Sequence, residues 1–179
     1  MRALAAGDDG ALRALLMRHQ TRVVAVARRM LGNDAEAEDV AQETFLRLWR
    51  HAGALEIGPG GIGGWLRRVS ANLVLDRIRA RRPQDPDALE RMAVPAGQHR
   101  HMAERDLSRR VDRALQQLPE RQRLALVLCH YEELAMAEAA DIMGVSAEAV
   151  ESLLARGRRA LKAALAADWK GFLPDADGL

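Results

Sequence analysis

Apolar residues return at three- and four-residue steps along most of the chain, a spacing that predicts one helix after another. Leu12, Leu15, Leu16, Val23, Val26, Ala27 and Met30 mark a helix over residues 8–31. Gly32-Asn33 stops it. Asp34 is placed to cap the next helix, and Glu36 and Glu38 are favourable near its positive N-terminus. That helix is expected to run to about Ala52. Six of the twelve residues in 53–64 are glycine and Pro59 is among them, so no regular element is expected there. A third helix is expected from Trp65 to about Arg82.

Pro83, Pro86 and Pro95 punctuate a polar stretch, 83–103, that reads as a flexible linker. Four further helical segments are expected at 104–118, 120–130, 134–143 and 146–167, and the tail 168–179 shows no periodicity. No internal repeat or strand pattern is present. The expected fold is all-α: two small helical domains, 1–82 and 104–167, joined by the linker.

The most informative segment is EAADIMGVSAEAVESLLARGRRAL, 138–161. A short helix ends at Gly144, and Ser146 is a good N-cap for a second one. Ala140, Ile142, Val145 and Val150 are placed to pack the two together, as in a helix-turn-helix. On the second helix Val150, Leu153, Leu154, Gly157 and Leu161 share one face. Glu148, Ser152, Ala155 and Arg159 share the opposite one, flanked by Arg156 and Lys162. Such a face suits a helix laid in a major groove. An ordinary amphipathic hairpin with a solvated basic face has the same pattern.

Two other helices carry unusual charge. WLRRVSANLVLDRIRARR, 65–82, has six arginines and one acid. Its two apolar stripes enclose a polar strip of Arg68, Asn72, Asp76 and Arg79, an arrangement compatible with phosphate contact or with a solvated helix end. In DAEAEDVAQETFLRLW, 34–49, Val40, Ala41, Thr44, Phe45 and Leu48 face inward, and five acids without a base lie between Asp34 and Glu43. That face repels DNA. It is either solvated or meets a basic protein surface.

Composition narrows the classes. Aromatics are only 3% of the 179 residues, so aliphatic side chains must build the core, and abundant Ala and Leu favour helix. The formal net charge of +2 is too small to argue for nucleic acid by itself; the local clusters matter more. The single cysteine, Cys129, lies in an apolar run and suits a buried thiol in a reducing compartment. No stretch approaches the ~20 apolar residues of a membrane span, and no secretory signal is evident, so a cytoplasmic protein is expected. There is no GxxxxGK[ST], GxGxxG after a strand, HExxH or CxxC, so neither an enzyme nor a cofactor is expected. His99 and His101 stand two apart without further obvious metal ligands.

In order and spacing, DVAQETFLRLW, WLRRVSANLVLDRIRARR and LPERQRLALVLCHYEEL with the helix-turn-helix resemble extracytoplasmic-function (ECF) sigma factors of the sigma-70 family, over roughly residues 8–167. The resemblance implies an N-terminal domain (region 2) that grips the β′ clamp helices of RNA polymerase and opens the −10 element. It implies a C-terminal domain (region 4) that reads the −35 element and touches the β flap. Asp39, Gln42 and Glu43 fall on the family's polymerase-binding motif. Arg68, Asn72 and Arg79 fall on the −10 helix, and the 53–64 loop lies where the family captures a flipped −10 base. Glu148, Ser152, Arg156, Arg158, Arg159 and Lys162 fall on the −35 helix. An anti-sigma factor is the further partner implied. The chain departs from the pattern in its glycine-rich loop, in lacking a tyrosine or serine near Met136, and in placing Glu148 and Glu151 on the −35 helix. Two alternatives share parts of the pattern: a sigma mimic that sequesters an anti-sigma factor, and a dimeric helix-turn-helix regulator. The arginines on both DNA helices count against the first. The acidic face and the first arginine helix are unexplained by the second.

Overall fold

The computed structural model describes residues 2–58, 60–81 and 110–170. The linker 83–103, His99, His101 and the end of the tail lie outside the described residues, as does Arg82. Among the described residues there are helices and no strand.

A short helix α1 (Arg2–Ala5), not foreseen from the periodicity, buries Leu4 against the core. Helix α2 (Asp9–Leu31) starts at the Asp8 cap, whose carboxylate accepts from the Gly10 and Ala11 amides, and ends at Gly32 with φ +67. A β-carbon is disfavoured in that left-handed conformation, so glycine is the natural terminator. Helix α3 (Asp34–His51) is capped by Asn33, which accepts from the Glu36 amide at 3.1 Å; Asp34, expected as the cap, lies in the first turn. Asn33 has the extended backbone a cap requires, with φ −136. Helix α4 (Gly61–Arg81) starts four residues earlier than expected, inside the glycine run. Packing against α2 and α3 overrides the low helix preference there.

The C-terminal unit contains a helix α5 described over 110–116, α6 (Glu120–Leu126), a wide π turn (Val127–Tyr131), α7 (Met136–Met143) and α8 (Ala147–Lys170). The segment expected as one helix over 120–130 thus changes winding midway. Glu132 N donates to Val127 O at 3.1 Å, a five-residue step. The helix-turn-helix is present. Gly144 ends α7 in the left-handed region (φ 62), and Ser146 Oγ accepts from the Ala149 amide at 3.2 Å. Ala140, Ile142 and Val150 are buried and Val145 half-buried, as expected. Helix α8 runs three residues beyond its expected end.

One core cluster, including Val23, Phe45, Leu48 and Leu66, lies within the N-terminal unit. The larger cluster is continuous across both units, from Val26, Met30 and Val74 to Leu115, Leu124, Ile142 and Val150. The two helical domains therefore meet along an apolar seam.

Candidate polymerase and promoter surfaces

Helix α3 presents Asp39 and Gln42 exposed, with Glu43 half-buried. Leu46, 38% exposed, follows them at helical spacing. The inward residues Val40, Ala41, Thr44, Phe45 and Leu48 are all buried, as the periodicity requires. The face is less negative than its sequence suggests. Arg47 Nε donates to Glu43 Oε1 at 2.7 Å, and Arg77 Nη1 of α4 stands 3.9 Å from Asp39 Oδ2. Arg81 of α4 pairs with Glu36. The hydrogen bond from Arg47, aided by the charges of Arg47, Arg50 and Arg77, holds the Glu43 carboxyl below its ordinary range. Sequence spacing within α3 revealed neither these crossing arginines nor the exposed Leu46; the i+3 and i+4 offsets from Glu43 and Gln42 were the available signal for the leucine.

On α4 the strip of Arg68, Asn72, Asp76 and Arg79 is exposed, while Leu66, Ala71, Leu73, Val74 and Leu75 are buried. The arginines divide into two groups. Arg77 donates to Glu36 O at 2.8 Å and Arg81 to Leu31 O at 3.3 Å, so both brace the N-terminal unit. Arg68 Nη2 instead donates to Asp141 O of α7 at 2.8 Å, and Arg79 pairs with Asp76 at 3.4 Å. Glu56, Gly58 and Gly60, with Trp65 and Arg68 of the first turns of α4, line a cavity of about 260 Å³ that Glu138, Asp141 and Ile142 of α7 wall on the other side.

On α8 the expected faces are reproduced. Val150, Leu154 and Gly157 are buried, whereas Glu148, Arg156, Arg158, Arg159 and Lys162 are exposed and Ser152 is partly so. Arg156 Nη2 donates to Ser152 Oγ at 3.0 Å, which sets the guanidinium along the outer face. Arg158 Nε stands 3.2 Å from His130 Nε2. Glu148 is held below the ordinary carboxylate range by its own backbone amide and by the Ser146 side chain.

Residues 15–84 match the family model of Sigma-70 region 2, and 108–161 match that of Sigma-70, region 4. The chain is 35% identical over 157 residues to the RNA polymerase sigma factor CarQ of Myxococcus xanthus, covering 87% of this chain and 90% of that one. The chain belongs to the sigma-70 family. It is also 36% identical over 172 residues to the ECF RNA polymerase sigma factor SigE of Mycolicibacterium smegmatis, covering 90% of this sigma factor but 65% of that relative. The structure of CnrH in complex with the cytosolic domain of CnrY is similar at 27% identity and a TM-score of 0.70, covering 93% of this chain and 95% of that one.

This ECF sigma factor thus carries both regions in the expected order. No cluster of three or more metal-ligating side chains occurs among the described residues, and no described helix is long and apolar enough to cross a membrane. Cys129 is half-buried, and burial pushes its thiol up, away from the reactive thiolate.

Proposed function

We propose that the sigma factor directs promoter-specific initiation through three separate surfaces. Asp39, Gln42 and Glu43 of α3, with Leu46 one turn further along, meet the β′ clamp helices of core polymerase. Arg68, Asn72 and Arg79 of α4 hold the opened −10 element. Glu148, Ser152, Arg156, Arg158, Arg159 and Lys162 of α8 engage the −35 element, where Glu148 can accept from cytosine N4 and the arginines donate to guanine or phosphate. The observation that carries this reading is the exposure of an acidic face on α3 and of basic faces on α4 and α8, on one chain that contains both sigma regions. Residues 1–82 act as region 2, 83–103 as the tether, 104–167 as region 4 and 168–179 as a tail. The polymerase performs the chemistry, so the sigma factor itself needs neither catalytic residue nor cofactor. It acts in the cytoplasm, where the polymerase is. Restraint by an anti-sigma factor completes the proposal, supported by the similar CnrH chain being held by the cytosolic domain of CnrY.

The test is run-off transcription with purified core polymerase on genomic fragments. Promoter-dependent transcripts are expected, and Asp39→Lys/Glu43→Lys should weaken core binding several-fold with helicity intact, because opposed charges steer association. Asn72→Ala should impair permanganate-detected strand opening more than initial duplex binding. Tight core binding without transcripts from any fragment would favour the mimic.

A further inference from the structure

Four basic side chains take no part in the three surfaces described above. Arg18 and His19 of α2 both lie one turn before Arg22, so the three share one side of that helix. Arg67 comes to them from the first turns of α4. Gly63 marks the meeting point: a β-carbon there would lie 3.6 Å from His19 Cε1 and 3.8 Å from Arg67 Nη1. Burial, and then the charges of Arg18, Arg67 and Arg22, hold His19 below the ordinary imidazole range, so the ring is mostly uncharged at neutral pH. Every charge acting on that ring is positive.

Arg67 differs from the other arginines of its helix. Its Nε is shut off from solvent without a hydrogen-bond partner among the described residues, and no ion pair holds its guanidinium there. Arg68, Arg77, Arg79 and Arg81 all donate to a carbonyl or a carboxylate. Arg123 Nε is buried without a partner too, but the other nitrogens of Arg123 make four hydrogen bonds. A buried guanidinium N–H calls for an acceptor. The acids nearby do not supply one. Glu132 feels the charges of Arg22, Arg67 and Arg29 but forms no ion pair with them, and burial raises its carboxyl. Glu138 and Asp141 share a cavity wall with Arg67, and Glu138 is taken up by the Ala135 amide at 3.0 Å.

We propose that Arg18, His19, Arg22 and Arg67 form a binding site for a phosphate group, held between α2 and the start of α4. Paired guanidinium N–H groups match the oxygens of a phosphate, and an uncharged imidazole adds one further donor. The phosphate supplies the acceptor that Arg67 Nε lacks and offsets the mutual repulsion of three arginines around one ring. It also lies toward the positive end of the α4 dipole, which adds to the attraction. A free phosphorylated compound and a nucleic-acid backbone present the same group, and the site recognises that shared chemistry. It depends on none of the promoter-reading roles assigned to Arg68, Asn72 and Arg79.

The probe is inorganic pyrophosphate, added to the full chain at constant ionic strength. The readout is the His19 imidazole resonance, assigned by its loss in His19→Gln. A saturable shift is expected, with His19 titrating at higher pH in the bound form, because a nearby anion favours the imidazolium. Arg22→Gln and Arg67→Gln should each weaken the dissociation constant by roughly tenfold, about the worth of one charge-assisted hydrogen bond. Arg113→Gln, exposed on α5, should leave it unchanged. Circular dichroism should show the same helix content throughout. Should Arg67→Gln fail to fold, Arg18→Gln/Arg22→Gln, at two exposed positions, carries the same test. A DNA duplex of scrambled sequence that displaces pyrophosphate at His19 supports the site with a backbone phosphate as its ligand. Pyrophosphate binding that the duplex leaves intact supports it with a free phosphate compound. A His19 shift that never saturates, that chloride reproduces at equal ionic strength, or that survives at full affinity in the arginine variants would overturn the site, leaving an adventitious ion only.

Discussion

Arg158 on α8 donates from Nε to Nε2 of His130 in the π turn at 3.2 Å. The bond anchors one of the arginines assigned to the −35 surface to the body of the C-terminal unit. Arg156 and Arg159 have no such tether in the hydrogen bonds described, Arg156 reaching only Ser152 on its own helix. Arg156→Ala should therefore weaken binding to the cognate −35 duplex by ~1–3 kcal/mol, the worth of a bidentate base contact. Arg158→Ala should cost less. Competition binding against cognate and scrambled duplexes measures both; an equal loss on every sequence for Arg156→Ala identifies a phosphate contact instead.

The two helices of the helix-turn-helix differ in how they begin. Ser146 caps α8, whereas Ala135 stands at the start of α7 and offers no side-chain acceptor; only Glu138 reaches back, accepting from the Ala135 amide at 3.0 Å. Ala135→Ser should complete a capping box and raise stability by about 1 kcal/mol, and Ser146→Ala should lower it by a similar amount. Urea unfolding of the full chain reads both. A loss of stability on Ala135→Ser would show that α7 does not start as described.

Gly157 lets α8 approach α6. A β-carbon there would lie 3.0 Å from Leu126 Cδ1 and 3.3 Å from Gln122 O. Leu126 can shift its methyl, but the Gln122 carbonyl is main chain. Gly157→Ala should come out near neutral, as the ~1 kcal/mol gain in helix preference offsets the crowding. Gly157→Val should cost ~1–3 kcal/mol by overpacking. Thermal unfolding distinguishes the pair, and a Val variant as stable as the parent would place the helices farther apart than described.

Burial raises the Glu132 carboxyl above its ordinary range, although Arg22, Arg67 and Arg29 pull it the other way. The folded chain consequently holds this proton more firmly than the unfolded one. The group's stabilising effect is full below the unfolded carboxyl range and fades as pH rises through the higher folded value. Glu132→Gln should remove that dependence, so the variant gains on the parent as pH climbs from the carboxyl range to neutrality. Melting temperatures across that window check the sign; a parent that gains on the variant with rising pH would mean the three arginines dominate.

The buried and exposed faces of the candidate surfaces were legible because they depend on helical spacing alone. The exposed strip of α4, the outer face of α8 and the buried face of α3 all follow from residues three and four apart. The features left open depend on partners distant in sequence. The acidic run of α3 read as either solvated or facing a basic protein surface, and spacing within the helix could not show that Arg77 and Arg81 reach it from α4. Helical spacing gives no signal for Arg123, which is buried against a carbonyl 93 positions earlier. Periodicity also cannot show a change of winding: the π turn at 127–131 occupies an apolar run that suits an α-helix equally well. Asn33 and Asp34 are both good caps by residue type, and only the backbone angles chose between them.

Helix α4 opens with Gly61, Gly63 and Gly64 in its first four positions. Each glycine disfavours helix by about 1 kcal/mol relative to alanine, so this stretch forms against a deficit of roughly 3 kcal/mol. The remainder of the helix, bound into the core by Leu66, Val74 and Leu75, has no such handicap. The start of α4 therefore depends on packing against α2 and α3 more than the rest of the helix does. On the proposed −10 role of α4, DNA that needs room at this end would meet the part of the helix with the weakest helix preference of its own.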